Sequence, residues 1–152
     1  MNSIHDICKR YNIKNYTINS DGSIDVNGSV DLSWYKLIEL PLNFNRVTGY
    51  FSCSRNNLTS LKGCPRWIGG WFSCNSNRLP SLEFSPDYVG GSFDCIWNKL
   101  TDNYCDTEIG GNFYTSLKQD GLIINDSDIA TNYKEFQKLY KRKKILNDIF
   151  NM

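Results

Sequence analysis

Apolar residues and glycines recur along this chain at a fixed interval of 21 residues. Two consecutive units, LTSLKGCPRWIGGWFSCNSNR from Leu58 and LPSLEFSPDYVGGSFDCIWNK from Leu79, show the pattern most clearly. Several columns in one frame indicate a repeat architecture, in which each unit buries its apolar side against its neighbours. The columns are Leu37, Leu58, Leu79 and Leu100; Leu40, Leu61 and Leu82; Val47, Ile68 and Val89; Gly49, Gly70 and Gly91; Phe51, Phe72 and Phe93; Cys53, Cys74 and Cys95; and Asn56, Asn77 and Asn98.

Within each unit the motif Gly-x-Phe-x-Cys alternates with a period of two, which predicts a short strand with Phe and Cys on one side. Stacked units then form a parallel sheet with a Phe column and a Cys column inside. The glycines before the strand permit a close approach or a positive φ. Asn56, Asn77 and Asn98 end their strands and are predicted to form a ladder of backbone hydrogen bonds. Pro65 and Pro86 favour an extended return segment over a helix.

Weaker copies of the unit flank the clear ones, so the pattern predicts a solenoid of about five turns. We divide the chain into an N-terminal cap (1–17), the solenoid (18–126) and a C-terminal capping helix (127–152), which together form one folded unit. The weaker copies are Val26, Gly28, Val30 and Leu32 before, and Ile109, Gly111 and Phe113 after a one-residue deletion.

The two ends of the chain lack the repeat and are predicted to cover the open ends of the core. An N-terminal helix is expected from about Ser3 to Tyr11, with Ile4, Ile7 or Cys8 and Tyr11 packed onto the first turn. After the last turn, GLIIND is expected to add a final strand. A C-terminal helix then begins near its predicted N-cap, and its apolar residues recur at three or four positions. These residues are Ser127 or Asp128 as the N-cap, and Ile129, Tyr133, Phe136, Tyr140, Leu146, Ile149 and Phe150 on the apolar stripe.

The unit resembles a leucine-rich repeat, whose frame Leu-x-x-Leu-x-Leu-x-x-Asn-x-Leu is met here with Phe and Cys in the strand positions. The resemblance covers roughly residues 18 to 118. More narrowly, Leu-Thr-Ser-Leu-Lys-Gly-Cys-Pro followed by Ile-Gly-Gly-x-Phe-x-Cys is similar to short leucine-rich-repeat proteins encoded by tailed bacteriophages. The segment IKNYTINSDGSIDVNGSVDLS is similar to their usual entry segment. This resemblance implies a small virus-encoded protein that acts in the cytoplasm of a bacterial host.

Composition agrees with a globular domain and offers little for catalysis. Hydrophobic residues make up 40% of the chain, charged residues 22%, and the net charge is +1, so no global field favours nucleic acid or membrane. The N-terminus lacks a hydrophobic run and a cleavage site, and no apolar stretch approaches about 18 residues. With His5 as the single histidine and no phosphate-binding loop, we expect neither an enzyme nor a cofactor.

The six cysteines are predicted to be reduced and free of metal. Cys53, Cys74 and Cys95 occupy the inward column, where Cys behaves as a small apolar residue. No paired short spacing typical of zinc ligands occurs, and a cytoplasmic location keeps thiols reduced. Cys64 and Cys105 lie nearer the turns and are expected to be the more reactive thiols.

The outward strand positions predict a continuous surface for binding a protein. Large aromatic rings surrounded by small Ser and Asn side chains are typical of interfaces, and solenoids commonly bind through an extended sheet face. Asp31 and Asp94 also lie outward and are interpreted as solvated side chains. The residues predicted to bind the partner are Tyr50, Trp71, Tyr114, Asp94 and Ile96.

Two other surfaces remain alternatives for the binding site. Three aromatic residues at expected turn positions form a possible second apolar edge. A basic run in the C-terminal helix would suit nucleic acid or an acidic protein, although a solvated helix face explains it as well. These residues are Trp67, Tyr88 and Trp97 at the edge, and Lys138, Lys141, Arg142, Lys143 and Lys144 in the helix.

The sequence therefore predicts a non-enzymatic module that binds a protein. The resemblance makes a host bacterial protein the expected partner, and modulation or inhibition of a host defence protein the expected role. One rival is a nucleic-acid binder that uses the basic helix. Another is a small-ligand sponge that uses a pocket between the caps and the aromatic residues.

Overall fold

The computed structural model describes residues 1–101 and 105–115, together with 142, 145–146 and 148–151. One short helix precedes eleven short strands in this part of the chain. The elements are α1 (Ile4–Arg10), β1 (Tyr16–Ile18), β2 (Ile24–Val26), β3 (Val30–Asp31), β4 (Phe44–Val47), β5 (Phe51–Ser52), β6 (Trp67–Ile68), β7 (Phe72–Ser73), β8 (Tyr88–Val89), β9 (Phe93–Asp94), β10 (Glu108–Ile109) and β11 (Phe113–Tyr114).

The strands form a β-solenoid with two sheets, where the repeat had predicted one. The first sheet has the order β1-β2-β4-β6-β8-β10 and the second has the order β11-β9-β7-β5-β3. All pairs are parallel except β1 with β2. Each unit contributes one strand to each sheet, because the chain bends at the glycines between the Val or Ile column and the Phe column. Five units with two strands each make about four full turns of the solenoid, slightly fewer than the five that the repeat predicted.

The glycines at this bend are needed for close packing between turns. A Cβ atom on Gly69 would clash with the carbonyl oxygen of Thr48, and one on Gly90 would clash with the carbonyl oxygen of Gly69. Positive φ is not the reason, since neither glycine adopts it. Of the two explanations that the sequence offered, close approach is the one that holds.

The pairing confirms the register of the repeat. Phe51, Phe72, Phe93 and Phe113 pair in sequence across the second sheet and are each 0% exposed. Neighbouring rings lie 4.7 to 6.2 Å apart between centroids. The pairing of Phe113 with Phe93 confirms the one-residue deletion in the last described turn.

The asparagine ladder is confirmed as well. Asn77 Nδ2 donates to the carbonyl oxygen of Cys74 in its own turn at 3.1 Å and to that of Cys53 in the preceding turn at 2.9 Å. Its Oδ1 accepts from the amide of Leu58 at 3.0 Å. Asn56 and Asn98 make equivalent bonds. Each side chain therefore satisfies backbone groups from two turns at the corner after the second sheet.

The N-terminal segment begins with the expected helix. Ser3 is its N-cap, and Ser3 and Asp6 form a reciprocal capping box. Cys8 is buried and Ile4 and Ile7 pack against the core. The antiparallel strand β1 that follows was not predicted. It turns back through a tight loop in which Gly22 has a φ of 83°.

The C-terminal segment is described only in part. Residues 142, 145–146 and 148–150 are helical. Of the predicted apolar stripe, Leu146, Ile149 and Phe150 are exposed, so these side chains do not dock on the core as expected. The final strand at 121–126, the N-cap and the stripe residues from 129 to 140 lie outside the described residues. Within the described part of the chain, no helix has the length and apolarity that crossing a bilayer requires.

Candidate protein-binding face

The outer face of the second sheet collects all five residues predicted to bind a partner. Side chains that alternate with the buried Phe column form three rows across the strands. The first row is Ser29, Tyr50, Trp71, Ser92 and Asn112; the second is Asp31, Ser52, Ser73, Asp94 and Tyr114; the third is Ser33, Ser54, Asn75 and Ile96.

A stacked pair of aromatic rings stands at the centre of this face. The Tyr50 and Trp71 ring centroids lie 4.3 Å apart with an interplanar angle of 2°. Trp71 remains 44% exposed in this arrangement. Ser52 and Ser73 in the adjacent row are only 5% and 6% exposed. These serines face outward as predicted and line a cavity beside Trp71, but they contribute little accessible surface because larger side chains surround them.

A cavity of about 360 Å³ opens on the Trp71 side of the pair. Trp71 and Tyr114 lie on its rim, and Asp94 lines it together with Ser92. The Asp94 carboxylate is held in place by two hydrogen bonds. Its Oδ2 accepts from Asn75 Nδ2 at 2.7 Å, and its Oδ1 accepts from the amide of Ile96 at 3.1 Å.

A second cavity, of about 500 Å³, opens on the Tyr50 side. Tyr11 from the end of the N-terminal helix meets Tyr35 edge-on, with ring centroids 4.9 Å apart. Trp34, Tyr50 and the Asp31 carboxylate complete the lining with serines. A pocket between a cap and aromatic residues was expected for the small-ligand alternative, but its lining was not predicted because the weak first unit was not aligned beyond residue 32. Extending the 21-residue frame from Arg55 to Trp34 would have pointed to it.

The proposed second apolar edge does not exist as one surface. Trp67 and Tyr88 lie on β6 and β8 of the first sheet, so their assignment to turns is wrong. The glycine bend makes a strand of the residues before it, and sequence alternation over two residues is too short to reveal one. Trp97 does lie in a turn, after the second sheet, with a φ of 54° and an exposed fraction of 62%.

The outer face of the first sheet is covered by its own side chains. The Trp67 and Tyr88 rings stack with centroids 5.5 Å apart and an interplanar angle of 14°. The guanidinium of Arg46, one turn earlier, lies 3.9 Å from the Trp67 ring centroid. An ion pair of 3.0 Å joins Arg66 and Asp87 beside them. Trp67 thus has a partner in both neighbouring turns.

Of the basic run in the C-terminal segment, the structure describes only Arg142. Arg142 is helical and exposed. Lys138, Lys141, Lys143 and Lys144 lie outside the described residues. The nucleic-acid alternative therefore stays a prediction from the sequence.

All six cysteines are free and buried. Burial raises the pKa of the Cys53 thiol to about 12, and burial first, then the neighbouring thiols, raises the pKa of Cys74 well above its ordinary value. Burial does the same to the pKa of Cys64. Cys64 and Cys105 are 7% and 3% exposed, the largest fractions among the six, so their greater reactivity stays a prediction.

Comparison with protein-family models, with curated proteins and with solved structures finds no match to this chain.

Proposed function

We propose that this protein is a non-enzymatic module that binds a protein partner through the outer face of its second sheet. Trp71 and Tyr50 serve as anchors, with Tyr114, Asp94 and Ile96 in support. The observation that carries the proposal is the stacked pair of the half-buried Tyr50 and the exposed Trp71, with an open cavity on each side. Large aromatic side chains in such positions commonly dominate the free energy of binding.

The backbone beneath this pair favours tight binding. Hydrogen bonds between turns run on both sides of Trp71, from the Phe51 amide to the Trp71 carbonyl at 3.0 Å and from the Phe72 amide to the Ser92 carbonyl at 2.9 Å. The ring stack fixes the two side chains as well. An ordered face loses little conformational entropy when a partner docks, so more of the contact energy remains as affinity.

The finer part of the proposal follows from the resemblance to short leucine-rich-repeat proteins of tailed bacteriophages. On that basis the solenoid is of the leucine-rich-repeat type, and the partner is a protein of the bacterial host. The module would act in the host cytoplasm as a modulator or inhibitor, with a defence protein as the expected target.

A capture experiment tests the proposal. The tagged protein is incubated with bacterial lysate treated with nuclease, and retained proteins are identified by mass spectrometry. We expect a specific protein that is retained by the original chain and by Lys141→Glu/Lys143→Glu, and is lost with Trp71→Ala. Retention by Trp71→Ala combined with loss in the charge-reversed variant would refute the sheet face and favour the basic helix. Circular dichroism of each variant confirms that it folds.

A further inference from the structure

The outer face of the second sheet has a nearly symmetrical pattern that the proposed function does not use. Of its first four strands along the solenoid (β3, β5, β7 and β9), the middle two each carry an aromatic ring followed by a serine, and the other two each carry a serine followed by an aspartate. In order along the solenoid, the pairs are Ser29–Asp31, Tyr50–Ser52, Trp71–Ser73 and Ser92–Asp94. Small residues beside the rings leave room for the two cavities, and each cavity has one carboxylate in its lining.

The bend of the chain does not require these two carboxylates. Asp31 Oδ1 accepts from the amide of Ser33 at 2.9 Å, as Asp94 Oδ1 accepts from the amide of Ile96, so both could serve as turn formers. Yet the middle two strands have serine at the same position and turn in the same way. The residue three positions later has a similar positive φ in all four turns, namely Trp34 at 67°, Arg55 at 55°, Ser76 at 54° and Trp97 at 54°.

Neither carboxylate forms an ion pair with another residue of the described ranges 1–101 and 105–115. Arg55 packs its guanidinium over the Trp34 ring, 4.7 Å from the centroid, and does not pair with Asp31. Each cavity therefore offers a fixed negative charge beside aromatic rings. A cationic side chain gains from both, through charge-assisted hydrogen bonds and through contact with the ring faces.

The distance between the carboxylates limits which partner fits. Asp31 and Asp94 lie at equivalent positions three strands apart, so their backbones are separated by about 14 Å at about 4.8 Å per strand. An extended peptide covers about 14 Å in four residues, and residues at i, i+2 and i+4 share one side. Its central side chain would then lie over Ser52 and Ser73, beside the Tyr50–Trp71 pair in the adjacent row.

We propose that the face binds an extended basic segment of its protein partner, with Lys or Arg at i and i+4 in the two cavities and an apolar residue at i+2 packed beside the Tyr50–Trp71 pair. This inference rests on the proposed function and specifies the chemistry of the partner. Binding should weaken as salt is raised, because two charge pairs near the surface contribute to it.

Fluorescence anisotropy with a labelled peptide, Gly-Ser-Lys-Ser-Leu-Ser-Lys-Ser-Gly, tests the inference on the full chain. Two control peptides differ in one respect each. One has an additional Ser before the second Lys, which moves that Lys to the opposite side, and the other has Glu in place of both Lys residues. The protein variants are Asp31→Asn, Asp94→Asn and, as a matched carboxylate on the first sheet, the exposed Glu108→Gln.

We expect the first peptide to bind, both control peptides to bind at least about fivefold more weakly, and each Asp→Asn variant to lose about fivefold in affinity, the upper range for exposed ion pairs. Glu108→Gln should bind unchanged. Equal binding of the two lysine peptides, or no effect of either Asp→Asn substitution, would overturn the inference.

Binding of the captured protein to the Asp→Asn variants and to Trp71→Ala distinguishes a failure of this inference from a failure of the proposed function. A partner that is lost with Trp71→Ala but retained by the Asp31→Asn/Asp94→Asn double variant leaves the sheet face as the binding site and refutes the basic segment. A partner that is indifferent to Trp71→Ala refutes the proposed function itself, whatever the peptides do.

Discussion

The outer faces of the two sheets carry the same kind of side chains, but they differ in whether the protein itself covers them. Both present a tryptophan stacked on a tyrosine of an adjacent turn, at the same repeat interval. On the first sheet, Trp67 lies between the Arg46 guanidinium and the Tyr88 ring, so the protein itself supplies partners in both neighbouring turns. On the second sheet, Trp71 has Tyr50 on one side and a cavity on the other. An aromatic stack therefore indicates a binding surface only where the chain leaves one side of it open.

The prediction with the largest expected effect on stability tests which residues of the second sheet point inward. Phe72 is fully buried between Phe51 and Phe93, and its removal leaves a cavity in the core. We expect Phe72→Ala to lower the free energy of unfolding by about 3–5 kcal/mol. The adjacent Trp71→Ala should cost less, about 1–2 kcal/mol, because it loses the stack on Tyr50 and a ring that is only partly buried. Denaturant titrations measure both free energies of unfolding. A larger loss of stability for Trp71→Ala would mean that the inner and outer faces have been assigned the wrong way round.

The corner after the second sheet provides the next prediction. Asn77→Ala removes the hydrogen bonds to the Leu58 amide and to the Cys53 and Cys74 carbonyl oxygens. Since these groups are buried, we expect a loss of about 2 kcal/mol or more in the free energy of unfolding.

Asn75→Ala is the matched control for that corner. It removes one hydrogen bond to Asp94 and a buried Oδ1 that has no partner among the described residues, so its cost should be well below that of Asn77→Ala. Equal losses for the two variants would mean that the ladder is not what ties the turns together.

A pH titration tests the Cys column behind the second sheet. Burial raises the pKa of Cys53 to about 12 in the folded state, from an ordinary value near 9. Above pH 9 the unfolded chain releases protons that the folded chain retains, so stability is fully present below about pH 9 and falls between pH 9 and 12. Each such thiol adds a slope on the order of 1 kcal/mol per pH unit. Cys53→Ala should make the fall less steep; an unchanged slope would mean that the thiol is accessible to solvent.

Much of the fold could be predicted because each repeat column has one local cause. The period of 21 fixed the pairing of Phe51, Phe72 and Phe93, and Asn after the strand fixed the ladder. The first sheet could not be predicted, because its strands β6, β8 and β10 are only two residues long and the bend that separates them from the second sheet depends on contacts with the adjacent turn. The clash that keeps Gly90 a glycine involves Gly69, 21 residues earlier.

The candidate site was predicted on the Trp71 side, where Asp94 and Tyr114 line a cavity, but the residues that line the cavity beside Tyr50 were not predicted. Alternation with Phe placed Tyr50 and Trp71 outward, which needs only the strand period. The cavity beside Tyr50 depends on where the end of the N-terminal helix brings Tyr11, and no local pattern specifies that position. For the same reason the burial of Ser73 could not be predicted, since the neighbouring large side chains decide it and its own polarity does not.

The most direct test of the account compares the two tryptophans in one binding assay. The dissociation constant of the captured partner is measured by calorimetry for the original chain, Trp71→Ala and Trp67→Ala, after each variant is shown to fold. We expect Trp71→Ala to weaken binding more than about tenfold, as truncation of a central interface aromatic does, and Trp67→Ala to leave the dissociation constant within about twofold. Equal effects of the two substitutions, or a larger effect of Trp67→Ala, would contradict the claim that the open side of the Tyr50–Trp71 pair is the binding surface.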